Sequence, residues 1–241
     1  MRELHMFGIR FIDASFTEIF DELKKGGIMI APSAPSLTPI THDIVYHNSL
    51  KNSNFAILDS GLFCLLLLLF KGIKVKKLSG LAFLRKFLKT DFQEESLFLI
   101  EPSCMDATAN RALLLSYGYT LNKSHQYIAP IYKQGEIVDL ELMNILKKVR
   151  PKYLLINLGG GVQERLASSI KDHLNDPSLS IICTGAAISF LTERQARIPE
   201  YLDNVYLGWL MRCLFDYKKF IPRYFQALKI IPMVYKESIS A

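Results

Sequence analysis

The 241-residue chain has no apolar stretch long enough to cross a bilayer: its most hydrophobic run, Leu62 to Phe70 (LFCLLLLLF), falls well short of the roughly 20 residues a spanning helix needs. That run reads instead as a buried core helix. Cysteine is sparse too, and Cys64, Cys104, Cys183 and Cys213 form no C-x-x-C pair, so neither a zinc ribbon nor a disulfide framework is indicated. Each reads as a buried thiol in an apolar context. The five histidines are scattered, and His42 and His47, the closest two, do not share a helix face; no metal site follows from them. The N-terminus MRELHMFGIRF lacks the apolar core of a signal peptide, which leads to the expectation of a cytoplasmic protein. Neither G-x-G-x-x-G nor G-x-x-x-x-G-K-[ST] occurs, which disfavours a dinucleotide-dependent enzyme, and no zinc-finger or aromatic-basic strand signature points to nucleic acid.

Acidic residues are outnumbered, 23 against 29 cations, for a net charge of +6 and a pI near 9.0. This balance suits an anionic partner, whether a phosphorylated substrate or an anionic membrane surface. Half the residues are hydrophobic and 22% are charged, as in a globular chain with a sizeable core.

Along the chain, short apolar runs alternate with helical patterns. Ser15-Phe16-Thr17-Glu18 has the form of a capping box and starts a helix that stops at Gly26-Gly27, before a strand at Ile28 to Ile30. A helix from Ser36 or Pro39 to His47, a strand at Phe55 to Leu58, helices at Leu62 and at Leu81 to Leu88, and a strand at Leu97 to Ile100 follow. A helix at Ala107 to Tyr117, a weak strand near Gln126, a helix at Leu140 to Val149, a strand from Tyr153, a helix to Leu174 and a strand at Ser180 to Thr184 continue the pattern. The alternation implies crossover units: an α/β, Rossmann-like, mostly parallel sheet with helices on both faces. From Pro199 the character changes to helices mixing aromatics with cations, so the expected organisation is an α/β domain over 1–196 and a helical C-terminal appendage over 197–241. Pro222 should end or bend a helix there. The appendage reads either as a pair of helices packed on the sheet with a solvated basic face, or as a surface resting on an anionic membrane. The lysines at 71, 74, 76 and 77 read as a solvated face.

Two stretches are candidates for chemistry. Tyr153 to Glu164 (YLLINLGGGVQE) reads as strand, turn and helix, in which Gly159, Gly160 and Gly161 can present backbone amides to an anion at a helix N-terminus, with Gln163 and Glu164 as the first side chains beyond. A tight turn without a ligand fits the same residues. Asp59 ends an apolar strand ahead of Ser60-Gly61, where a carboxylate serves either as a general base facing a cleft or as the N-cap of the following helix. Ligands of such sheets bind beyond the carboxyl ends of the strands, which here are Ala31 to Ser33, Asp59 to Gly61, Asn157 to Gly161 and Thr184 to Ala187.

These pieces resemble, over nearly the whole chain, the WecG/TagA/CpsF family of bacterial glycosyltransferases (glycosyltransferase family 26). Asn157 to Glu164 is similar to that family's GLGAPKQE-like segment, Asp59-Ser60-Gly61 to its Asp-Gly motif, and Lys77-Leu78-Ser79-Gly80 to its Arg-x-x-Gly. The series Thr184 to Leu191, Arg197-Ile198-Pro199, Gly208-Trp209-Leu210-Met211-Arg212 and Pro222-Arg223-Tyr224 resembles its end region in type and spacing. The resemblance implies a metal-independent, inverting hexosyltransferase that needs no cofactor. It would move an N-acetylmannosamine-type sugar from a UDP-sugar to a polyprenyl diphosphate-linked acceptor in cell-surface polysaccharide synthesis, peripheral at the inner face of the cell membrane. It further implies Asp59 as general base and Ser33, Gly61, Gly159, Gly160, Gly161, Gln163, Glu164 and Gly185 as the substrate-binding set. Arg212, Lys219 and Arg223 would meet the diphosphate or the membrane, and a homo-oligomer is compatible with all of this. The chain departs from the pattern at several positions. Ala31-Pro32-Ser33 stands for a Thr-x-Asn pair, Glu101-Pro102 for Gly-Gly with a negative charge expected near the nucleotide sugar, Ala82 and Ser189 for aspartates, and Val162 for lysine. These changes keep open a second expectation, a catalytically degenerate relative that binds a nucleotide sugar or a partner enzyme as a regulator or scaffold.

Overall fold

The computed structural model describes residues 1–90, 96–119, 121–192 and 217–239. Its centre is an eight-stranded sheet in the order β1-β2-β4-β3-β8-β7-β5-β6. The strands are β1 (Arg2–Met6), β2 (Ile9–Asp13), β3 (Gly27–Ile30), β4 (Phe55–Ile57), β5 (Leu97–Glu101), β6 (Gln126–Ile128), β7 (Tyr153–Ile156) and β8 (Ser180–Cys183). Every pairing is parallel except β1 with β2. The α/β expectation therefore holds, with an antiparallel hairpin added at one edge that the sequence reading did not anticipate. The signal for that hairpin was weak because its two-residue turn is Phe7-Gly8, both at positive φ (54° and 72°), whereas such turns are usually written Asn-Gly or Asp-Gly.

Helices cover both faces, as β-strand alternation requires. Ile28, Ile30, Ala56, Leu154 and Ile156 point to one core, Met29, Phe55, Ile57, Tyr153 and Leu155 to the other. The second core is closed by α1 (Phe16–Lys24), α5 (Gly80–Phe87), α6 (Cys104–Ser116) and α9 (Ala187–Leu191). The first is closed by α2 (Ala34–Leu37), α3 (Ile44–Lys51), α4 (Gly61–Lys71), α7 (Leu140–Val149) and α8 (Val162–Leu174), together with the C-terminal α10 (Tyr217–Ala227) and α11 (Ile230–Lys236).

Local chemistry sets the boundaries. The Ser15/Glu18 capping box forms, with Glu18 accepting from the Ser15 amide at 2.8 Å. The helix expected up to His47 is instead cut in two by a 3₁₀ turn at Thr38–Thr41, because Pro39 cannot donate and Asp43 starts a fresh helix by accepting from the Tyr46 amide at 2.8 Å. Helix α10 continues through Pro222 rather than ending before it. Helix α4 is not the fully buried helix expected: Phe63, Cys64, Leu66 and Leu67 face the core while Leu65, Leu68, Leu69 and Phe70 are exposed. Cys64 and Cys183 are buried as expected, but Cys104 opens α6 on the surface.

Between α1 and β3 the chain turns on Gly26 and Gly27, at φ of 94° and 100°. A Cβ on Gly26 would lie 2.0 Å from the Pro177 carbonyl oxygen, a backbone atom that cannot swing aside. Gly26→Ala is expected to destabilise the fold by about 3 kcal/mol or more, the left-handed strain plus the clash. Gly72→Ala, also at positive φ but with open space around it, should lose only about 1 kcal/mol. Urea unfolding of the two variants against the parent measures the difference, and equal losses would contradict it.

Candidate functional site

Because β4, β3, β8 and β7 are parallel neighbours, their carboxyl ends lie side by side along one edge. The four loops that leave them carry Asp59 and Gly61, Ser33, Gly185, and the glycine segment 159–161. The helices that follow β3 and β8, α2 and α9, pack on opposite faces of the sheet, so the two loops part at a topological switch point, where open α/β sheets bind ligands.

Asp59 is partly exposed and does not cap the helix that follows it. Ser60 does so, accepting from the Phe63 amide at 3.3 Å. Asp59 Oδ1 instead accepts from the Gly80 amide at 2.8 Å, at the first turn of α5. Gly80 in turn sits against Ala31 and Thr184, where an added Cβ would come within 3.3 Å of the Ala31 Cβ and 3.2 Å of the Thr184 Cβ. The start of α5 thus ties the Asp59 loop to the ends of β3 and β8. The Cys64 thiol, one turn into α4, is pushed up to about 12 by burial, with Lys77 pulling it down and Asp59 pushing it further up.

The glycine segment is the open part of this edge. Gly159 and Gly160 are exposed, a Cβ on Gly159 or Gly161 would meet nothing, and Gly161 at φ 90° caps α8. Gln163 and Glu164 point inward. Both are buried, and they form a relay: the Gly185 amide donates to Gln163 Oε1 at 2.8 Å, Gln163 Nε2 donates to Glu164 Oε1 at 2.9 Å, and the Gly161 amide donates to Glu164 Oε2 at 2.6 Å. These two side chains therefore bind the glycine loop to the β8 loop. Burial raises the Glu164 carboxyl above its ordinary range, against the pull of those donors.

On the outer side of the loop lies a polar cleft of about 630 Å³, bordered by Ser36, His42, Asp43, Gln134, Gly160 and Arg165. Arg165 pairs with Asp43 at 2.6 Å, and its guanidinium stands 5.8 Å from the Tyr46 ring centre, which locks α8 to the start of α3. Ser33 Oγ donates to Ser36 Oγ at 3.2 Å, at the mouth of the same segment.

Glu101 departs from expectation. It is fully buried and projects no charge toward the loops; Oε2 accepts from Asn110 at 2.7 Å and from Asn157, the residue that leads into the glycine segment, at 3.1 Å. Glu101 Oε1 and Asn157 Oδ1 are both buried and without a hydrogen-bond partner among the described residues, an arrangement that a protonated carboxyl would relieve. Sequence reading gives Asn157 and Asn110 no individual role; the only hint is that Glu101 and Asn157 each close an otherwise apolar strand, while Asn110 lies within α6.

Helix α10 packs on α2, directly after Ser33, and α11 packs on α4. Arg212 lies outside the described residues, as do the side chains of Lys219 and Arg223. Among the described residues, no three of His, Cys, Asp or Glu gather as metal ligands would, and no helix is long and apolar enough to cross a membrane.

The family model described as Glycosyl transferase WecG/TagA/CpsF family matches residues 4–241. No curated protein matches the chain.

Burial lifts the Glu101 carboxyl from 4.5 to about 7. A folded-state value above the unfolded one means that the native chain keeps a proton the unfolded chain has lost, so this group's contribution to stability falls as pH rises from about 4.5 to about 7. The expected loss is of the order of 3 kcal/mol. Glu101→Gln should flatten that part of the stability profile, read as the difference between the two proteins in urea unfolding from pH 4 to 8; parallel profiles would refute the assignment.

Proposed function

The chain belongs to the WecG/TagA/CpsF family of glycosyl transferases, and from that premise we propose that it moves an N-acetylmannosamine-type sugar from a UDP donor to a polyprenyl diphosphate-linked acceptor. The transfer is inverting and metal-independent, and it serves cell-surface polysaccharide synthesis at the inner face of the cell membrane. The observation that carries this reading is the convergence of the Asp59 loop and the glycine loop on one edge of the parallel sheet, tied together through Gly80, Thr184, Gly185 and Gln163.

In this reading the amides of Gly159 and Gly160, the exposed residues of the glycine loop, and the dipole of α8 receive the donor diphosphate, while the Gly161 amide stays with Glu164. Asp59 takes the proton of the acceptor hydroxyl as that oxygen attacks the anomeric carbon from the face opposite UDP, and the sugar–phosphate bond breaks with its electron pair leaving on UDP. The bond from the Gly80 amide orients the carboxylate for this task. Gln163 and Glu164 act by fixing the loop rather than by touching the sugar. Arg212, Lys219 and Arg223, in the tail that follows α9, offset the charge of the leaving or acceptor diphosphate and meet the anionic membrane.

The alternative, a degenerate relative that binds nucleotide sugar or a partner enzyme without turnover, is favoured by the apolar or small residues at Ala31, Ala82, Val162 and Ser189. Glu101 no longer counts toward it, since its carboxyl is buried and held by Asn110 and Asn157 instead of lying open at the ligand edge.

Thermal-shift titration with a panel of UDP-sugars should raise the melting temperature with at least one of them, by mass action on the folded state. With that donor and a polyprenyl diphosphate acceptor, Asp59→Asn should lower kcat by about 10² to 10⁴ while leaving the donor-induced shift intact. Donor binding without transfer by the parent protein selects the degenerate reading, and an undiminished rate in Asp59→Asn removes Asp59 from the mechanism.

A further inference from the structure

Helix α4 leaves Leu65, Leu68 and Leu69 exposed, at spacings of three and four residues that place them on one stripe, with Phe70 beside them. An 11-residue helix that is apolar on its inner face should turn polar side chains outward, and this one does not. Its neighbours continue the pattern. Ile221, Phe225 and Leu228 form an exposed stripe along α10 and its end, Tyr235 is exposed on α11, and the Phe70 and Tyr235 rings meet edge to face at 5.5 Å. All three helices pack on the same face of the sheet.

The charges carried by these segments are predominantly positive. From Ser60 to Ser79 there are four cationic residues and no acidic one, and residues 217–239 carry five cations against one acid. Lys74, Lys76, Lys218, Lys229 and Lys236 are exposed. Lys71 donates to the Tyr235 and Glu237 carbonyls at 2.9 and 2.7 Å, and Glu237, the one acid, is occupied by the Phe7 amide at 2.6 Å. A second copy of the chain docked through this face would set lysines against lysines. An anionic bilayer offers what both features need: hydrocarbon for the leucines and negative headgroups for the cations.

We infer that the outer stripe of α4, within the α/β body, is a membrane-docking element that works together with α10 and α11, inserting Leu65, Leu68 and Leu69 at the headgroup boundary of an anionic leaflet. The biological purpose of this element rests on the proposed lipid-linked acceptor, whereas the docking itself does not. Since α4 begins two residues after Asp59, a membrane held against its outer face would bring a lipid-borne acceptor to the edge of the sheet where that carboxylate stands.

Co-sedimentation of the full chain with vesicles of phosphatidylcholine alone, or mixed with phosphatidylglycerol, tests this. The parent protein should bind the mixed vesicles and not the neutral ones, and binding should weaken with salt. Leu68→Ser/Leu69→Ser should bind at least tenfold more weakly, and Lys74→Glu/Lys76→Glu should lose much of the salt dependence. Both pairs are at the surface, so the melting temperature and its shift with a UDP-sugar should match the parent; an intact nucleotide shift with lost vesicle binding separates this inference from the transferase reading. Parent-level vesicle binding by the leucine variant would overturn the inference, as would failure of the parent to bind mixed vesicles. A parent dimer that becomes monomeric in the leucine variant, with no vesicle binding by either, would overturn it in favour of self-association.

Discussion

The sheet consists of two halves joined by a single ladder. Strands β1, β2, β4 and β3 come from the first quarter of the chain, and β8, β7, β5 and β6 from residues 97–183. Among the described residues, the strand ladder that joins the two halves is the parallel pairing of β3 with β8, from Gly27 opposite Ser180 to Ile30 opposite Cys183. Everything proposed about function straddles that seam: Asp59 and Ser33 belong to the first half, the glycine segment and Gly185 to the second. The positive-φ glycines at the foot of β3 serve the same junction, because Gly26 must pass within contact of the Pro177 carbonyl for the two strands to register.

Polar contacts reinforce the seam above and below. At the ligand edge, Gly80 rests on Ala31 from one half and Thr184 from the other, and the Gln163 and Glu164 relay fastens the two loops of the second half. At the opposite end, Ser180 Oγ donates to the Leu23 carbonyl at 2.7 Å and Lys152 Nζ to the Lys24 carbonyl at 2.8 Å. Fixing the loops in this way occupies the Gly185 and Gly161 amides but holds the backbone of Gly159 and Gly160 in place, and a ligand then binds without having to order it. Two buried carboxyls, Glu101 and Glu164, lie beneath the same loops, and burial raises both above the ordinary carboxylate range, Glu101 to about 7.

The character of the molecule's exterior follows a separate rule. A helix facing water is normally polar on its outer stripe; α4 keeps leucines there, and the cations of the 71–77 segment and of the C-terminal helices gather near it. Apolar and basic surface side by side are recognition features of a lipid surface, and they lie on the first-core face of the sheet, whose α4 and α2 leave the ligand edge.

Periodicity and capping residues by themselves determined the element order: alternating apolar runs require parallel crossover units, and Ser15 with Glu18, or Gly26 with Gly27, mark ends because backbone groups there need particular partners or dihedrals. The sequence also exposed the glycine segment and Asp59 as strand-end features. It could not show that Phe7-Gly8 closes a hairpin, that Ser60 rather than Asp59 caps α4, or that Glu101 turns inward, since each depends on what another segment supplies. Only the tertiary structure decided which side of α4 is buried and that Gln163 and Glu164 face the protein, because an apolar run or a polar pair carries no information about its neighbours until long-range packing selects a face.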